Sequence, residues 1–199
     1  RKGSVYDLLQ QTATAYNQDI GVVNVFEPVD PHTLELQDPE ISTNTVQDVV
    51  FYLRTLKAPV QRDRDNPAVI AGEALFERIG CGRCHRAELT TGSSSIAALA
   101  HRTIRPYTDL LLHDMGPGLN DGYTEGGATS AEWRTPPLWG LGLFPASQGG
   151  SYFLLHDGRA HSVYEAIDLH GGEGRAARDA FRALTQAESD QLLHFLQSL

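Results

Sequence analysis

Residues 81–85 read Cys-Gly-Arg-Cys-His, and Cys81 and Cys84 are the two cysteines of the chain. Thiols three residues apart cannot tie distant loops together, so no disulfide framework organises this fold. The pattern C-x-x-C-H is the signature of covalent haem attachment. Two thiols on one helical turn add to the two vinyl groups of a porphyrin. The next residue then sets an imidazole under the iron as proximal ligand. Two other chemistries use a similar spacing. A redox dithiol usually follows a strand in a thioredoxin-like unit, whereas a helix is expected before Cys81. A zinc site wants a second pair of Cys or Cys/His ligands, and there is no second Cys pair. One haem c, covalent, is therefore expected on Cys81, Cys84 and His85.

The flanking residues specify that helix. Asn66-Pro67 supplies an N-cap followed by Pro at the first helical position. The pattern predicts a helix from Ala68 to about Ile79 that stops at Gly80. Val69, Gly72, Leu75, Phe76 and Ile79 share one face. Gly72 costs helix propensity, so a closely approaching partner helix is expected there. The Gly72/Phe76 pair ahead of C-x-x-C-H resembles the N-terminal helix of class I cytochromes c. The partner expected is the last helix of the chain. Thr185 and Glu188 form a capping box, and Leu192, Phe195, Leu196 and Leu199 make an i, i+3, i+4, i+7 stripe.

Part of this pattern occurs twice. Val49–Leu56 echoes Leu192–Leu199, and Asp19-Ile20-Gly21 echoes Asp114-Met115-Gly116 in the same order. Repeats of this kind signal duplicated units. Residues 1–58 read as the C-terminal part of a preceding cytochrome c-like domain that lacks its haem motif. Residues 59–66 are polar and fit a linker. Residues 67–199 read as a mono-haem cytochrome c domain. The fold class expected is all-α, with long irregular Gly/Pro-rich loops and a partial second cytochrome-like unit in front.

Charge and hydropathy exclude other classes. The formal net charge is -9 and the sequence pI about 5.3. Nucleic-acid binding needs a basic face, so no nucleic-acid partner is expected. No run approaches the ~20 apolar residues of a transmembrane segment. The chain begins Arg1-Lys2 without an initiator Met or a signal peptide. It reads as mature or cleaved material whose export signal is gone.

Several further motifs occur in order: Tyr107–Gly116, Glu132–Gly140, Leu155–Ala160 and His170–Glu173. With Cys81–His85, they make the chain resemble the di-haem oxidoreductases. These are sometimes labelled thiol oxidoreductases and are related to bacterial di-haem cytochrome c peroxidases. The resemblance implies tandem cytochrome c domains, electron transfer between two haems, and a periplasmic or otherwise exported location. This chain departs from that pattern in carrying one C-x-x-C-H, so a second haem would sit on a separate or cleaved chain. It departs again at Ile20, where the echo of Asp-Met-Gly would put Met. Three functional readings follow. The first is electron transfer by a c-type cytochrome within a haem oxidoreductase, with a redox partner protein. The second is a peroxidase-like catalytic haem with an open or weak sixth ligand. The third is thiol chemistry at the CxxC.

Met115 is the single methionine and the candidate sixth ligand, since a thioether opposite His suits electron transfer; a gap-filling core role is its plain alternative. Related peroxidases often carry Met where this chain has Glu132. His101, His113, His156, His161 and His170 are the other candidates. His170 ends a helix, where the dipole favours a cation, which gives it a structural reading. Arg134 and Arg159 are candidate propionate partners, with structural ion pairs as the alternative. Trp133 and Trp139 are candidates to line the haem pocket or to fill the core. His156-Asp157-Gly158 reads as a tight turn before a helix capped by Ser162 and Glu165. Asp114, Asp121 and Glu125 offer oxygen ligands for Ca²⁺ but match no defined loop spacing.

Overall fold

The computed structural model describes residues 2–199; the expectation attached to Arg1 lies outside the described residues. The chain forms two compact units, one of residues 4–57 and one of residues 2–3 with 58–199.

In the smaller unit, α1 (Leu8–Thr14) starts where the Asp7 carboxylate accepts from Gln10 N at 2.8 Å. It ends in a wider turn over Ala15–Asp19. α2 (Thr43–Thr55) is capped by Ser42, whose hydroxyl accepts from Thr45 N. The interior is small: Ala13, Val23, Val46 and Val50, with Asn24 fully buried among them. Asn24 is tolerated because its amide donates to Ala13 O and its carbonyl accepts from Phe26 N and Glu27 N.

In the larger unit, α3 (Pro67–Arg78) begins as its sequence requires. The Asn66 side chain accepts from Ala68 N at 2.9 Å, and Pro67 occupies the first turn. Gly80 ends the helix in a left-handed conformation, φ 92°. α7 (Gln186–Ser198) opens with the complete Thr185/Glu188 capping box. α3 and α7 pack together at Gly72, where a Cβ would overlap Gln191 O and come within 2.6 Å of Phe195 Cβ. The close approach expected from Gly72 is therefore real, and no larger residue fits. Phe76, Tyr107 and Phe195 meet edge to face, with centroids 5.4–5.9 Å apart. Val69, Leu75, Leu141, Val163, Phe181, Leu192, Leu196 and Leu199 complete this core.

Residues 59–66, expected as a linker, are tied to the end of α7. Arg62 N donates to Ser198 O at 2.8 Å, Gln61 Nε2 to Ser198 Oγ at 3.1 Å, and the Arg62 guanidinium to Gln197 O.

The all-α expectation needs correction. The chain is 42% helical, but it also contains two short antiparallel ladders. β1 (Leu89–Thr90) pairs with β2 (Thr103–Ile104). β3 (Leu112–Asp114) pairs with β4 (Glu132–Arg134), with His113 opposite Trp133. The segments are two and three residues long, too short for a period-2 pattern to register. They tie long loops whose backbone groups need partners. α4 (Phe144–Ser147), α5 (Val163–Asp168) and α6 (Arg175–Arg182) are short helices between those loops and α7. Among the described residues no helix is long and apolar enough to cross a membrane.

Candidate haem-binding site

The C-x-x-C-H motif follows α3 directly as a single tight turn, Cys81–Arg83. His85 N donates to Cys81 O at 3.0 Å, which folds the chain back at the motif. Both cysteines are free and half-buried. Burial pushes the Cys81 thiol up to about 12 and raises Cys84 as well. These are protonated thiols in apolar surroundings, the opposite of an activated thiolate.

His85 is fixed through Nδ1, which lies 3.0 Å from Tyr107 O. A carbonyl only accepts, so Nδ1 carries the proton and Nε2 keeps its lone pair. Burial, joined by the field of His170, lowers the His85 pKa to about 4. The ring is neutral at pH 7, as an iron ligand must be. Tyr107 turns its carbonyl to His85 by adopting φ 55°, rare for an aromatic residue. It is locked there on three sides. Its ring is buried between Phe76 and Phe195, its hydroxyl donates to Glu73 Oε1 at 3.0 Å, and Thr108 N donates to Arg86 O. A non-glycine residue persists at positive φ only where its surroundings over-determine it. The sequence places Tyr107 at the head of a motif, but nothing in it reveals a carbonyl as the working group.

His113 lies 3.8 Å from Cys84 Sγ through Nδ1. Its Nδ1 meets Glu173 Oε2 at 2.8 Å and its Nε2 meets Asp109 Oδ2 at 2.9 Å. Burial opposes a charge on this ring, but the bonds to Glu173 and Asp109 outweigh it and raise its pKa. Cys84, Asp109 and His113 come close enough together to hold a metal ion.

Met115 is half-buried and lies beside His170. A Cβ on Gly174 would stand 3.2 Å from both Met115 Cε and His170 Cδ2. His170 Nδ1 lies 2.7 Å from Ala166 O, one turn back in α5. Burial lowers its pKa.

The remaining candidates have diverse settings. Trp133 stacks on His156 at 3.6 Å between centroids and 16° between planes, and its indole N–H donates to Leu119 O. Over Trp133, 3.7 Å from its centroid, lies the Lys2 ammonium. Lys2 is 3% exposed and donates to Thr129 O, Ser130 O and Glu132 O, with Asp121 Oδ1 at 3.4 Å. Nothing in the sequence pointed to Lys2. Asp121 therefore has a cationic partner within the chain. Among the described residues it is not gathered with Asp114 and Glu125 into a metal-type cluster. Arg159 is taken by Asp157, 2.6 Å from both its Nε and Nη2, and donates to Gly118 O. Arg134 has no carboxylate partner among the described residues; it donates weakly to Thr135 O. The His156–Gly158 turn forms as expected, with Gly158 at φ 77°. At Ser162 the cap to Glu165 N forms, but the Glu165 carboxylate accepts from His161 N instead of closing the box.

No curated protein matches the chain. Among solved structures it is similar to a chain from Kuenenia stuttgartiensis hydrazine synthase pressurised with 20 bar xenon, with 19% identity and a TM-score of 0.49. The match covers 86% of this chain and 60% of that one. A family model described as "Di-haem oxidoreductase, putative peroxidase" matches residues 8–199. The chain therefore belongs to this family of di-haem oxidoreductases.

Proposed function

We propose that the larger unit is a cytochrome c-like domain that holds one haem c covalently through Cys81 and Cys84, with His85 as proximal ligand, and that it relays electrons within a haem oxidoreductase. The observation that carries this reading is the donor set. Two free thiols sit on one turn, followed at once by a neutral imidazole whose Nδ1 is anchored to Tyr107 O and whose Nε2 has no partner among the described residues. That set fits a haem. Bound haem would supply a one-electron iron couple. Arg134, free of carboxylates, is the proposed propionate partner; Arg159 is already neutralised by Asp157. Trp133, held flat by Lys2 and His156, would stiffen β4, which also carries Arg134.

The thiol-redox alternative is disfavoured because burial raises both thiols instead of activating them. The peroxidase-like alternative needs an open sixth position. Two side chains able to ligate iron, Met115 and His170, lie together in this unit, which supports electron transfer. The proposed redox partner is a second haem-bearing chain or segment. The family is di-haem, this chain carries one C-x-x-C-H, and α2 leaves an apolar face uncovered at Phe51, Tyr52 and Leu56. A periplasmic or otherwise exported location is proposed with it, testable by fractionation of the source cells.

Denaturation of the purified protein in alkaline pyridine tests the central claim. A haemochrome that remains with the protein through acid-acetone extraction is expected. Its absence would sink the haem reading and leave the CxxC to other chemistry. Peroxide turnover, with and without a haem-bearing partner, separates wire from enzyme.

A further inference from the structure

We infer that His170, not Met115, supplies the iron's second axial ligand opposite His85, so that the haem is held between two imidazoles. This rests on the haem reading above.

The first support is a repeated arrangement. A ligating imidazole binds through one nitrogen while the other N–H is held by a carbonyl or carboxylate, which fixes tautomer and ring orientation. His85 has this arrangement, with Nδ1 on Tyr107 O at 3.0 Å. His170 repeats it, with Nδ1 on Ala166 O at 2.7 Å. Because both partners are carbonyls, both rings carry their proton on Nδ1 and their lone pair on Nε2. Neither Nε2 has a hydrogen-bond partner among the described residues.

The other histidines are otherwise engaged. His113 has a carboxylate on each nitrogen. His156 lies flat on Trp133. His161 also rests Nδ1 on a carbonyl, 3.2 Å from Tyr152 O, but it is exposed, with its edge toward Phe153, whereas His170 is half-buried. His32, His101 and His194 are exposed.

Met115 has a different role. Its terminal methyl is turned to Gly174, beside the His170 ring. A flexible thioether in that place fills the space against the imidazole. The backbone around it does the rest. Met115-Gly116 runs so close to Gly171-Gly172 that a Cβ on Gly172 would overlap Asp114 O, and one on Gly116 would stand 2.8 Å from Gly172 N. Gly116 and Gly172 take φ 78° and 46°. The glycines after His170 are thus needed to seat its loop on the Met115 loop. The consequence of two imidazole ligands is a lower reduction potential than a His/Met pair would give.

Ferric spectra of the haem-loaded full chain test this. The wild type is expected to show low-spin bis-imidazole signals in electron paramagnetic resonance, without the near-infrared band of thioether ligation. Met115→Leu should leave these signals in place. His170→Ala should lose the low-spin ferric signal and regain it on adding imidazole. His170→Met should stay low-spin and shift the potential upward. A thioether band in the wild type overturns the inference with no variant needed, as does a low-spin signal that survives His170→Ala unchanged but is lost in Met115→Leu. The pyridine haemochrome separates the two levels of argument. If it is intact while His170→Ala changes nothing, the ligand assignment fails and the haem reading stands. If it is absent from the wild type, both fail.

Discussion

α2 and α7 carry the same apolar motif and bury it differently. In α7 and its C-cap, Leu192, Phe195, Leu196 and Leu199 are 0–4% exposed. The corresponding positions of α2 are Val49, Tyr52, Leu53 and Leu56. Tyr52 is 61% exposed and Leu56 54%. α2 instead buries Val46 and Val50 within its own small unit. The difference lies in what each helix has to pack on. α7 meets α3 at Gly72, where the missing side chain lets the two backbones close. Residues 4–57 contain no counterpart of α3. An apolar stripe sets which face wants to be covered; a partner of the right shape decides whether it is. The uncovered face of α2 is also the one that a second α3-like, haem-bearing segment would be proposed to fill.

The sharpest way to break this comparison is to truncate the paired aromatics. Phe195→Ala should cost about 3–5 kcal/mol, because it removes a ring packed edge to face on Phe76 and Tyr107 and leaves a cavity. Tyr52→Ala should change stability by only about 0.5 kcal/mol, since its ring stands in solvent. Urea unfolding of the two variants checks both values. Equal losses would mean that the α2 face is covered after all.

A smaller loss is expected at the contact itself. On helix propensity alone, Gly72→Ala should stabilise α3 by about 1 kcal/mol. The added Cβ would overlap Gln191 O, a backbone atom that cannot swing aside. The net result expected is a loss of about 1–3 kcal/mol. A stabilised variant would show that α3 and α7 stand further apart.

Much of this was legible from residue types. Asn66-Pro67, Gly72, Gly80 and Thr185/Glu188 each have one local physical meaning, and the structure realises all of them. The short ladders were not legible, because three residues such as Leu112–Asp114 show no period. Nor was the support of His85, which comes from a backbone carbonyl that every residue possesses. Lys2 escaped for a different reason. Its partners, Thr129 O, Ser130 O and Glu132 O, are more than 120 positions away and are again main-chain oxygens. For His170 the helix-end rule favours a cation, whereas burial lowers its pKa.

Helix capping should be the same in both units, because it is local. Thr185→Ala and Ser42→Ala should each cost about 1 kcal/mol. Both hydroxyls accept from a backbone N–H three residues on. Hydrogen exchange at the first turn of each helix would read the two losses separately. A large effect in α7 alone would mean that capping there is coupled to packing on α3.

The smallest expected difference is electrostatic, and α2 provides its control. In α7 the residue three past the cap is Glu188, whose carboxylate accepts from Thr185 N at 3.0 Å and from Arg78 Nη2 at 2.6 Å. The Arg78 bond, with the bonds to Thr185, holds its pKa down at about 2, against a usual 4.5. A carboxyl lowered on folding stabilises the native state above its unfolded pKa, and that contribution is lost as pH falls toward the folded value. In Glu188→Gln the amide can still reach Thr185 N, but the charge is gone. The wild type should therefore exceed this variant in stability at pH 7. The gap should shrink from about pH 5 downward and close near pH 2. Salt should narrow it at neutral pH, because Arg78 is exposed. In α2 the equivalent position is Thr45, which has nothing to titrate. Substituting Thr45 should give a difference that is flat over the same pH range. A pH-independent gap for Glu188→Gln would assign the effect to the cap alone and remove Arg78 from the account of how α7 is held to α3.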